Sequence, residues 1–358
     1  MKIGIFGGSF NPVHKGHLLV ADYAFKTLNL DKLIFVPTYK NPFKNKQSEL
    51  EVKHRVAMLK LVIKTNYEIS SFEINRKTTS YSIDAAKYFR QKYPNDQIFW
   101  LIGSDNLKKI NKWKNINELA RLVTITVFKR SANINQTNLK KYHGLLLKNP
   151  LYDFTSTAYK HGNLQVVEPI IQAYIGKNHL YLNDFLSNFL TPLRYKHSLA
   201  TAKFAVKLAK NSKLNLKQVY LAGLLHDLTK NWPLEKQYKF LHKSNIDYQQ
   251  YNNHELHALS ASVWLKTVYL LDDLSIIQAI AKHTNLDAKL TLLDKIVYAA
   301  DKLCDGRKWI GIQSLRILIH NDFDKGFKNL VQIIYKRLKK EGKKLSPKQI
   351  AIYEKWAN

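Results

Sequence analysis

The stretch GIFGGSFNPVHKGH, residues 4–17, decides how the first half of the chain folds. It continues a short apolar run that predicts a β-strand, and Gly7-Gly8 then predicts a tight turn. The two glycines let the backbone approach a ligand, and N–H groups there and at the next helix start can hold phosphate oxygens. His14 and His17 are three residues apart, so a helical turn places both imidazoles on one side, where they can donate hydrogen bonds. The stretch therefore predicts a phosphate-binding loop between a strand and a helix.

Strands and helices alternate from this stretch outward through the first half of the chain. Three further apolar runs predict strands and three amphipathic segments predict helices: residues 32–37, 97–103 and 122–128, and residues 17–28, 49–65 and 81–93. Continuous apolar strands between helices predict an α/β doubly wound parallel sheet. Ligands in such sheets bind at the carboxyl ends of the strands, where Gly7-Gly8-Ser9 and Gly103-Ser104-Asp105 are expected to lie.

The pattern changes after about Gly176. From Leu186 to the end we find no convincing strand, and long amphipathic segments predict an all-α domain instead. A length of 358 residues also suggests two domains. We therefore expect one domain over residues 1–182 and a second over residues 183–358.

Composition limits the functional classes. The single cysteine, Cys304, excludes a disulfide within the chain, and neither a signal peptide nor a membrane-spanning run is evident, so we expect a cytoplasmic protein without a membrane partner. The formal net charge of +30 suits phosphorylated ligands. Nucleic acid is a less favoured partner because the lysines are scattered and sequence-reading surfaces depend on arginine forks. The oligomeric state is not predicted.

The helical half carries histidines and aspartates that suit a metal centre. Its imidazole and carboxylate side chains are the ligands of hydrolytic metal sites, and they are His197, His226, Asp227, His257, His283 and Asp301. A buried aspartate in an apolar helix is costly unless it is paired or bound to metal. We therefore expect His197, His226, Asp227 and Asp301 to bind a cation, while His257 and His283 bind a second ion or contact phosphate.

The first half resembles the HxGH nucleotidylyltransferases, and specifically the bacterial nicotinate mononucleotide adenylyltransferases. The resemblance rests on the opening stretch, which includes Phe10, and on four further motifs: Val36-Pro37 through Lys44, His54-Arg55, Ser80-Tyr81-Ser82, and Gly103-Ser104-Asp105 with Trp113 downstream. It implies transfer of AMP from ATP to nicotinate mononucleotide, with Mg²⁺ on the triphosphate. It also implies that Asp105 contacts a ribose and that Trp113 packs on the pyridine ring.

One motif departs from that family. The family closes its ATP site with a motif like Ser-Ser-Thr-x-Ile-Arg, whereas this chain has Thr155-Ser156-Thr157-Ala158-Tyr159-Lys160. The hydroxyls of Ser156 and Thr157 remain, but a lysine is a point charge and cannot form a bidentate fork to phosphate. We expect Lys44 and Lys160 to add positive charge beside His14 and His17.

The second half resembles the HD phosphohydrolases, and within them the bacterial symmetrical dinucleoside-tetraphosphate hydrolases. The motifs that carry the resemblance are Arg194 to His197, Ala222 to Lys230, Leu256-His257, His283-Thr284 and Ala300-Asp301-Lys302. It implies cleavage of a dinucleoside polyphosphate, diadenosine tetraphosphate, into two ADP with one or two iron or manganese ions. Lys230, one turn beyond the His-Asp pair, could hold a phosphate.

Three alternatives remain open at this stage. The first domain could use another acceptor, such as nicotinamide mononucleotide or phosphopantetheine. The helical domain could sense a nucleotide and regulate the first domain. The chain could also be a basic RNA-binding protein whose catalytic sites have decayed, which salt-sensitive RNA binding without turnover would favour.

Overall fold

The computed structural model describes residues 1–41 and 50–358, which form two compact units, Met1–Tyr174 and Ile175–Asn358. The division falls within a helix, Pro169–Lys177. The domain boundary that we place between residues 182 and 183 stays a prediction. No helix of the described ranges is long and apolar enough to cross a membrane.

The first unit is built on one parallel sheet. Its strands in chain order are β1 Lys2–Gly8, β2 Lys32–Pro37, β3 Tyr67–Ile69, β4 Gln97–Gly103, β5 Thr124–Phe128 and β6 Leu145–Leu146. Their spatial order is β3-β2-β1-β4-β5-β6, and every neighbouring pair is parallel. The order reverses direction at β1, between β2 and β4. That switch point is where a doubly wound sheet opens a crevice for ligands.

Helices lie between these strands along the chain and after the last of them. They are α1 Lys15–Thr27, α2 Val52–Lys60, α3 Phe72–Arg76, α4 Ser82–Lys92, α5 Ile116–Leu122, α6 Thr137–Lys141, α7 Ser156–Lys160 and α8 Pro169–Lys177, with a 3₁₀ segment at Ser104–Lys112. Side chains alternate across β1, so that Ile3 and Ile5 join the core cluster that includes Ile83 and Phe89 of α4. The doubly wound class predicted from the sequence is confirmed.

The second unit contains only helices among its described elements. They are α9 Leu182–Phe189, α10 Pro192–Ala209, α11 Leu216–Leu225, α12 Leu234–Lys243, α13 Leu256–Thr267, α14 Leu274–Lys282, α15 Leu292–Leu303, α16 Ile312–Asn321, α17 Phe323–Lys340 and α18 Pro347–Ala357. Helices α10, α11, α14 and α15 pack against one another. The predicted all-α class is confirmed, and the centre of this bundle is where the histidine and aspartate side chains meet.

Two helices end earlier than the sequence predicts. Helix α2 ends at Lys60 rather than near Thr65, and its buried face carries Arg55 together with Met58 and Leu59, which an apolar periodicity cannot anticipate. The amphipathic pattern of residues 219–229 predicts a helix that includes His226 and Asp227, but helix α11 ends at Leu225 and both residues lie in the turn that follows it. That turn aims both side chains back into the bundle.

Candidate active sites

The first unit has a deep cavity at the carboxyl ends of β1 and β4. Its volume is about 1040 Å³, which is ample for a nucleotide. Most of the residues that the sequence singled out line it: Gly7, Gly8, Ser9, Phe10, His14, His17, Ser82, Gly103, Asp105, Trp113, Ser156 and Thr157. Lys160 is not among the described residues of the wall, and Lys44 lies outside the described residues.

The imidazole rings of the two histidines of the opening stretch are in close contact, tilted by 34° to each other. Their ring centroids are 3.6 Å apart, and the backbone N–H of His14 donates to Nδ1 of His17 over 3.2 Å at the start of α1. Because Nδ1 of His17 accepts this bond, the ring proton of neutral His17 lies on Nε2. Nδ1 of His14 is buried without a hydrogen-bond partner among the described residues. Burial, with a smaller contribution from Arg130, lowers the pKa of His14 to about 3, so its imidazole is neutral at physiological pH.

The glycine between the histidines allows this close approach. A Cβ on Gly16 would lie 3.1 Å from Nδ1 of His14 and 3.1 Å from the carbonyl oxygen of Phe154. Gly103, at the end of β4, is more restricted still, because a Cβ there would lie 2.3 Å from Oδ1 of Asp105. Both glycines let a ligand-facing side chain lie directly against the backbone.

Arg130 is a cavity residue that we did not predict. It lies just after β5, its backbone N–H donates to Oγ of Ser104 over 3.0 Å, and its guanidinium lies 3.4 Å from the Asp105 carboxylate. Lys129 also lines the cavity. Their position after a buried strand, at the edge where ligands bind, is the signal that could have identified them. They place positive charge in the cavity wall, which Lys160 does not.

Arg55 holds the two loops beside β1 together. Its side chain is 1% exposed, and its guanidinium donates to the carbonyl oxygens of Ser9 and Thr38, each over 2.7 Å. Ser9 belongs to the glycine-rich loop and Thr38 follows β2. A fully buried guanidinium is costly unless its donors are used, so Arg55 fixes the loop geometry without facing the ligand itself.

Glu73 is a buried ionisable residue of the cavity wall. It is 6% exposed, and its Oε2 has no hydrogen-bond partner among the described residues. Burial raises its pKa to about 7, although a hydrogen bond with Ser80 opposes the rise. Oγ of Ser80 in turn accepts from the backbone N–H of Tyr39 over 3.0 Å. Glu73 is therefore largely protonated below neutral pH.

The second unit brings all six predicted histidine and aspartate side chains together. Nε2 of His197 lies 2.9 Å from Oδ1 of Asp301, and Nε2 of His226 lies 3.5 Å from Oδ2 of Asp227 and 3.6 Å from the same Asp301 oxygen. His197 on α10 and Asp301 on α15 thus meet the His226–Asp227 turn. Atoms bound to one metal ion at about 2.0–2.2 Å are about 3–3.5 Å apart, and these distances fall close to that range.

The other oxygen of Asp227 faces a second pair of imidazoles. Oδ1 lies 3.2 Å from Nε2 of His257 and 3.6 Å from Nε2 of His283, and the two imidazole nitrogens are 3.2 Å apart. Asp227 therefore lies between two groups of nitrogen ligands, with one oxygen directed to each. Two groups of side chains have ligand atoms close enough together to hold a metal ion: His197, His226 and Asp301, and His226, Asp227 and His283.

The protonation states of this cluster fit a metal centre. Nδ1 of His226 lies 2.7 Å from the Gly223 carbonyl and Nδ1 of His283 lies 2.7 Å from the Ile280 carbonyl, so both donate from Nδ1 and keep a lone pair on Nε2. Nε2 of His226 is buried without a hydrogen-bond partner among the described residues. A polar atom that is buried and unpaired is costly unless a ligand satisfies it.

The charges of the cluster point the same way. Burial disfavours ionisation of Asp227, but the imidazole of His226 and its other histidine neighbours hold its pKa well below the usual value. Burial lowers the pKa of His283 to about 4 and also lowers that of His257. The pKa values of His197 and His226 are raised instead, because Asp301 and, for His226, also Asp227 outweigh the effect of burial. Metals bind ionised carboxylates and neutral imidazoles, so a bound cation would take the place of the protons on His197 and His226. The donor atoms of the cluster therefore fit a divalent cation.

Four cationic side chains surround the cluster. Nζ of Lys230 lies 3.2 Å from each ring nitrogen of His257, Nζ of Lys302 lies 2.6 Å from Oδ2 of Asp301, and the guanidinium of Arg194 lies 3.3 Å from Oδ2 of Asp227. The fourth is Arg307, which the sequence analysis did not identify and whose Nη2 lies 2.7 Å from Oδ1 of Asp301. The cluster is thus negative at its centre and positive around it.

Comparison with known proteins agrees with this architecture. The cytidylyltransferase-like family matches residues 5–162, and the HD domain family matches residues 194–305. A Mycoplasma genitalium protein, named probable nicotinate-nucleotide adenylyltransferase/Ap4A hydrolase, is 37% identical over 322 residues, which cover 87% of this chain and 90% of that protein. The Bacillus subtilis nicotinate-nucleotide adenylyltransferase is 34% identical over 188 residues, which cover 50% of this chain and 98% of that one.

Among solved structures, a predicted HD superfamily hydrolase involved in NAD metabolism from Clostridium acetobutylicum is 30% identical, with a TM-score of 0.46, and the match covers 48% of this chain and 93% of that one. The M. genitalium relative is matched along nearly its whole length, through both domains. The chain therefore belongs to the family of two-domain bacterial proteins in which a nucleotidyltransferase domain of the nicotinate-nucleotide adenylyltransferase type is followed by an HD domain.

Proposed function

We propose that the N-terminal domain transfers AMP from ATP to nicotinate mononucleotide, which yields nicotinate adenine dinucleotide and pyrophosphate. The observation that carries this proposal is the close pair of His14 and His17 beside the glycine-rich loop, on the wall of a cavity of about 1040 Å³. The names of the M. genitalium and B. subtilis relatives support the same reaction.

The geometry suits nucleotidyl transfer without a strong base. A phosphate oxygen of the mononucleotide attacks the α-phosphorus of ATP, the bond from that phosphorus to the bridging oxygen breaks, and pyrophosphate leaves with its Mg²⁺. The attacking phosphate is already ionised, so catalysis is positioning and charge stabilisation. Neutral His14 and His17 would donate hydrogen bonds to the phosphate oxygens. Arg130 and Lys129 would supply the positive charge that we had expected from Lys160.

The remaining predicted residues have matching roles in this proposal. Gly7, Gly8 and Ser9 would hold phosphate oxygens through the backbone, Asp105 would contact a ribose, and Trp113 would stack on the pyridine ring. The wall also includes Phe10, Ser82, Gly103, Ser156 and Thr157. Lys44 remains a candidate from the sequence alone.

An acceptor panel tests the first proposal. Purified protein is supplied with ATP and Mg²⁺ and with nicotinate mononucleotide, nicotinamide mononucleotide or phosphopantetheine, and pyrophosphate release is measured. We expect the highest kcat/KM with nicotinate mononucleotide. A clear preference for another acceptor would replace the substrate but keep the reaction class, and no release with any acceptor would contradict the proposal.

We propose further that the HD domain hydrolyses a dinucleoside polyphosphate, with diadenosine tetraphosphate giving two ADP. The observation that carries this proposal is Asp227, whose two oxygens face two sets of imidazole nitrogens. Oδ2 lies 3.5 Å from His226 and 4.0 Å from His197, and Oδ1 lies 3.2 Å from His257 and 3.6 Å from His283. Nitrogen and carboxylate ligands of this kind suit iron or manganese. A bound divalent ion supplies a Lewis acid that polarises a phosphoryl oxygen and lowers the pKa of a water.

The protein side chains hold the ions and the substrate. His197, His226, Asp227 and Asp301 would bind one ion, and His257 and His283 with Asp227 a second. Water adds to one of the two inner phosphorus atoms while the bond from that atom to the central bridging oxygen breaks. One ADP then carries the oxygen of the water, and the other carries the bridging oxygen. Lys230, which is close to His257, would hold a phosphoryl oxygen.

Product analysis tests the second proposal. Protein loaded with Mn²⁺ is incubated with diadenosine tetraphosphate, and the nucleotides are separated by chromatography. Two ADP per substrate are expected, whereas ATP plus AMP would contradict symmetrical cleavage. If the domain binds the dinucleotide but releases nothing, and if the dinucleotide changes the rate of adenylyl transfer, the domain is a nucleotide sensor instead.

A further inference from the structure

The loop after α15 brings one arginine to the metal-ligand cluster. It begins at Asp305, the last residue that the HD family matches, and ends at Gly311, directly before α16. Gly306 and Gly311 both have positive φ, +94° and +87°, which side chains rarely adopt, and no atom would obstruct a Cβ at either. The glycines are therefore required by the path of the loop, which turns Arg307 back towards Asp301.

The loop is held by a second arginine. Arg316 on α16 donates to the carbonyl oxygens of Leu303 and Cys304, each over 2.7 Å, and Nη2 of Arg316 also lies 3.4 Å from the Arg307 carbonyl oxygen. These bonds satisfy carbonyls at the end of α15 that would otherwise have no helical partner. Hydrogen bonds therefore hold both the backbone and the side chain of Arg307, because Arg316 binds its carbonyl oxygen and its guanidinium binds Asp301.

The guanidinium of Arg307 is anchored along one edge only. Nε donates to the Asp301 carbonyl oxygen over 2.9 Å, and Nη2 lies 2.7 Å from Oδ1 of Asp301 and 3.4 Å from Nε2 of His197. Nη1 has no hydrogen bond to any described residue, and the side chain is 40% exposed. An arginine that needed only to orient Asp301 could be covered completely, whereas this one is partly exposed and keeps a pair of donors that no described residue uses.

The net charge of the side chains around the cluster favours a ligand that carries several negative charges. Asp227 and Asp301 contribute two negative charges, while Arg194, Lys230, Lys302 and Arg307 contribute four positive ones. The excess is positive even before a divalent ion is added. A site of this kind is stabilised by a ligand that brings several negative charges close together, which a chain of phosphates does.

We propose that Arg307 is a substrate-binding residue of the HD domain, which links the metal ligand Asp301 to a phosphate of the nucleotide's polyphosphate chain through Nη1. This deepens the hydrolase proposal and rests on it for the identity of the substrate. Arg307 thereby couples substrate position to the ion without being a ligand of the ion.

Binding and metal content distinguish this role from a structural one. The full chain and the variants Arg307→Ala and Arg307→Gln are loaded with Mn²⁺, and bound Mn²⁺ is counted by EPR. Calorimetry then measures affinity for diadenosine tetraphosphate with a methylene group at the central bridge. The heat of analogue binding that remains in the Asp227→Ala variant is attributed to the N-terminal domain, and it is subtracted from the heat measured for each protein. Lys308→Ala, a neighbouring residue with the same change of charge, is the matched control.

We expect both Arg307 variants to bind the analogue about 10- to 100-fold more weakly, which is the size of a lost charge-assisted hydrogen bond to phosphate. Bound Mn²⁺ should stay within about 20% of the unsubstituted protein, and Lys308→Ala should change the affinity less than about twofold. Unchanged analogue affinity in the Arg307 variants would overturn the proposal. So would loss of Mn²⁺ in parallel with the analogue, which would make Arg307 a support for the ligands.

Failure of the hydrolase proposal would be recognised separately. If the protein cleaves no dinucleotide, yet the analogue binds and Arg307→Ala weakens it, then Arg307 is a phosphate-binding residue of a sensor domain. If cleavage occurs, Arg307→Ala should raise KM for diadenosine tetraphosphate at least about tenfold. A fall in kcat alone, with KM unchanged, would count against the assignment.

Discussion

The two domains treat buried carboxyl groups in opposite ways. In the N-terminal domain burial raises the pKa of Glu73 to about 7, whereas in the HD domain the pKa values of Asp227 and Asp301 are held well below the usual range despite comparable burial. The difference lies in the neighbours, because the HD aspartates are in contact with imidazoles and with Lys302, while Oε2 of Glu73 contacts no donor among the described residues.

The histidines repeat the contrast. His14 is neutral beside a glycine-rich loop, in a cavity wall that also carries Lys129 and Arg130. The HD histidines converge on carboxylate oxygens, in a site built from side chains on separate helices. The histidines of the first domain therefore lie beside backbone and cationic side chains, whereas those of the second lie beside carboxylates.

Removing the central carboxylate should give the largest effect. In Asp227→Ala both sets of imidazoles lose the oxygen between them, so bound Mn²⁺ should disappear and hydrolysis should fall at least about 10³-fold. Adenylyl transfer should stay within about twofold, because its donors lie in the other compact unit. Metal analysis and the two rate assays are run on one preparation. A parallel loss of adenylyl transfer would reveal coupling between the domains.

A substitution in the N-terminal site, His14→Ala, should have the next largest effect. His14→Ala removes a neutral donor from the phosphate site, and such losses typically cost about 10²–10³ in kcat. Hydrolysis of diadenosine tetraphosphate should be unaffected. His161→Ala, a histidine of the same domain that does not line the cavity, serves as the control. If His14→Ala transferred AMP at the normal rate, His14 would have no catalytic role.

Both folds and most of the candidate residues could be predicted from the sequence. The strands β1, β2 and β4 are long apolar runs, whereas β3 and β6 have only three and two residues and carry too little periodicity to detect. The His-Asp cluster was predictable because an aspartate buried among apolar residues needs a cation or a hydrogen-bond donor beside it. These patterns are local, so a single segment is enough to reveal them.

The arginines were missed for a different reason. Arg55 reaches Thr38 and Arg130 reaches Asp105, which are 17 and 25 residues away along the chain. Arg307 reaches Asp301, 6 residues away, and His197, 110 residues away. The residues next to each arginine in the sequence do not indicate these contacts. A charged residue on a helix or loop is usually solvated, so tertiary structure alone reveals which ones are not. Lys160 is not among the residues that line the cavity, whereas Arg130 is, and the role that its motif suggests for Lys160 stays a prediction.

Arg55 should affect the N-terminal site although it does not line the cavity. Arg55→Met leaves the Ser9 and Thr38 carbonyls without their donors and should lower the free energy of unfolding of this domain by about 2–4 kcal/mol. It should also raise KM for ATP, because the glycine-rich loop loses its anchor. Arg90→Met, which removes bonds to the carbonyls of Asp96 and Leu122 instead, should destabilise without changing KM. Equal KM values in both variants would assign Arg55 to stability alone.

Glu73 gives the smallest effect and a sharp test of the carboxyl comparison. Its pKa is 4.5 in the unfolded chain and about 7 in the folded one, so between those values the native state holds a proton that the unfolded state has released. Stability therefore falls as pH rises from 4.5 to 7, by at most about 3 kcal/mol, and the loss is complete above pH 7. Glu73→Gln cannot ionise and should escape this loss.

Hydrogen exchange at amides of β1 and β4 reports the unfolding free energy of this domain alone. We expect Glu73→Gln and the unsubstituted protein to differ little near about pH 5, and Glu73→Gln to be more stable by up to about 3 kcal/mol at about pH 8. A Glu68→Gln variant, which changes an exposed carboxyl paired with Lys32, should show no such gain at high pH. A pH-independent gap for Glu73→Gln would mean that Glu73 is already ionised in the fold. Burial would then not separate the behaviour of Glu73 from that of Asp227 and Asp301.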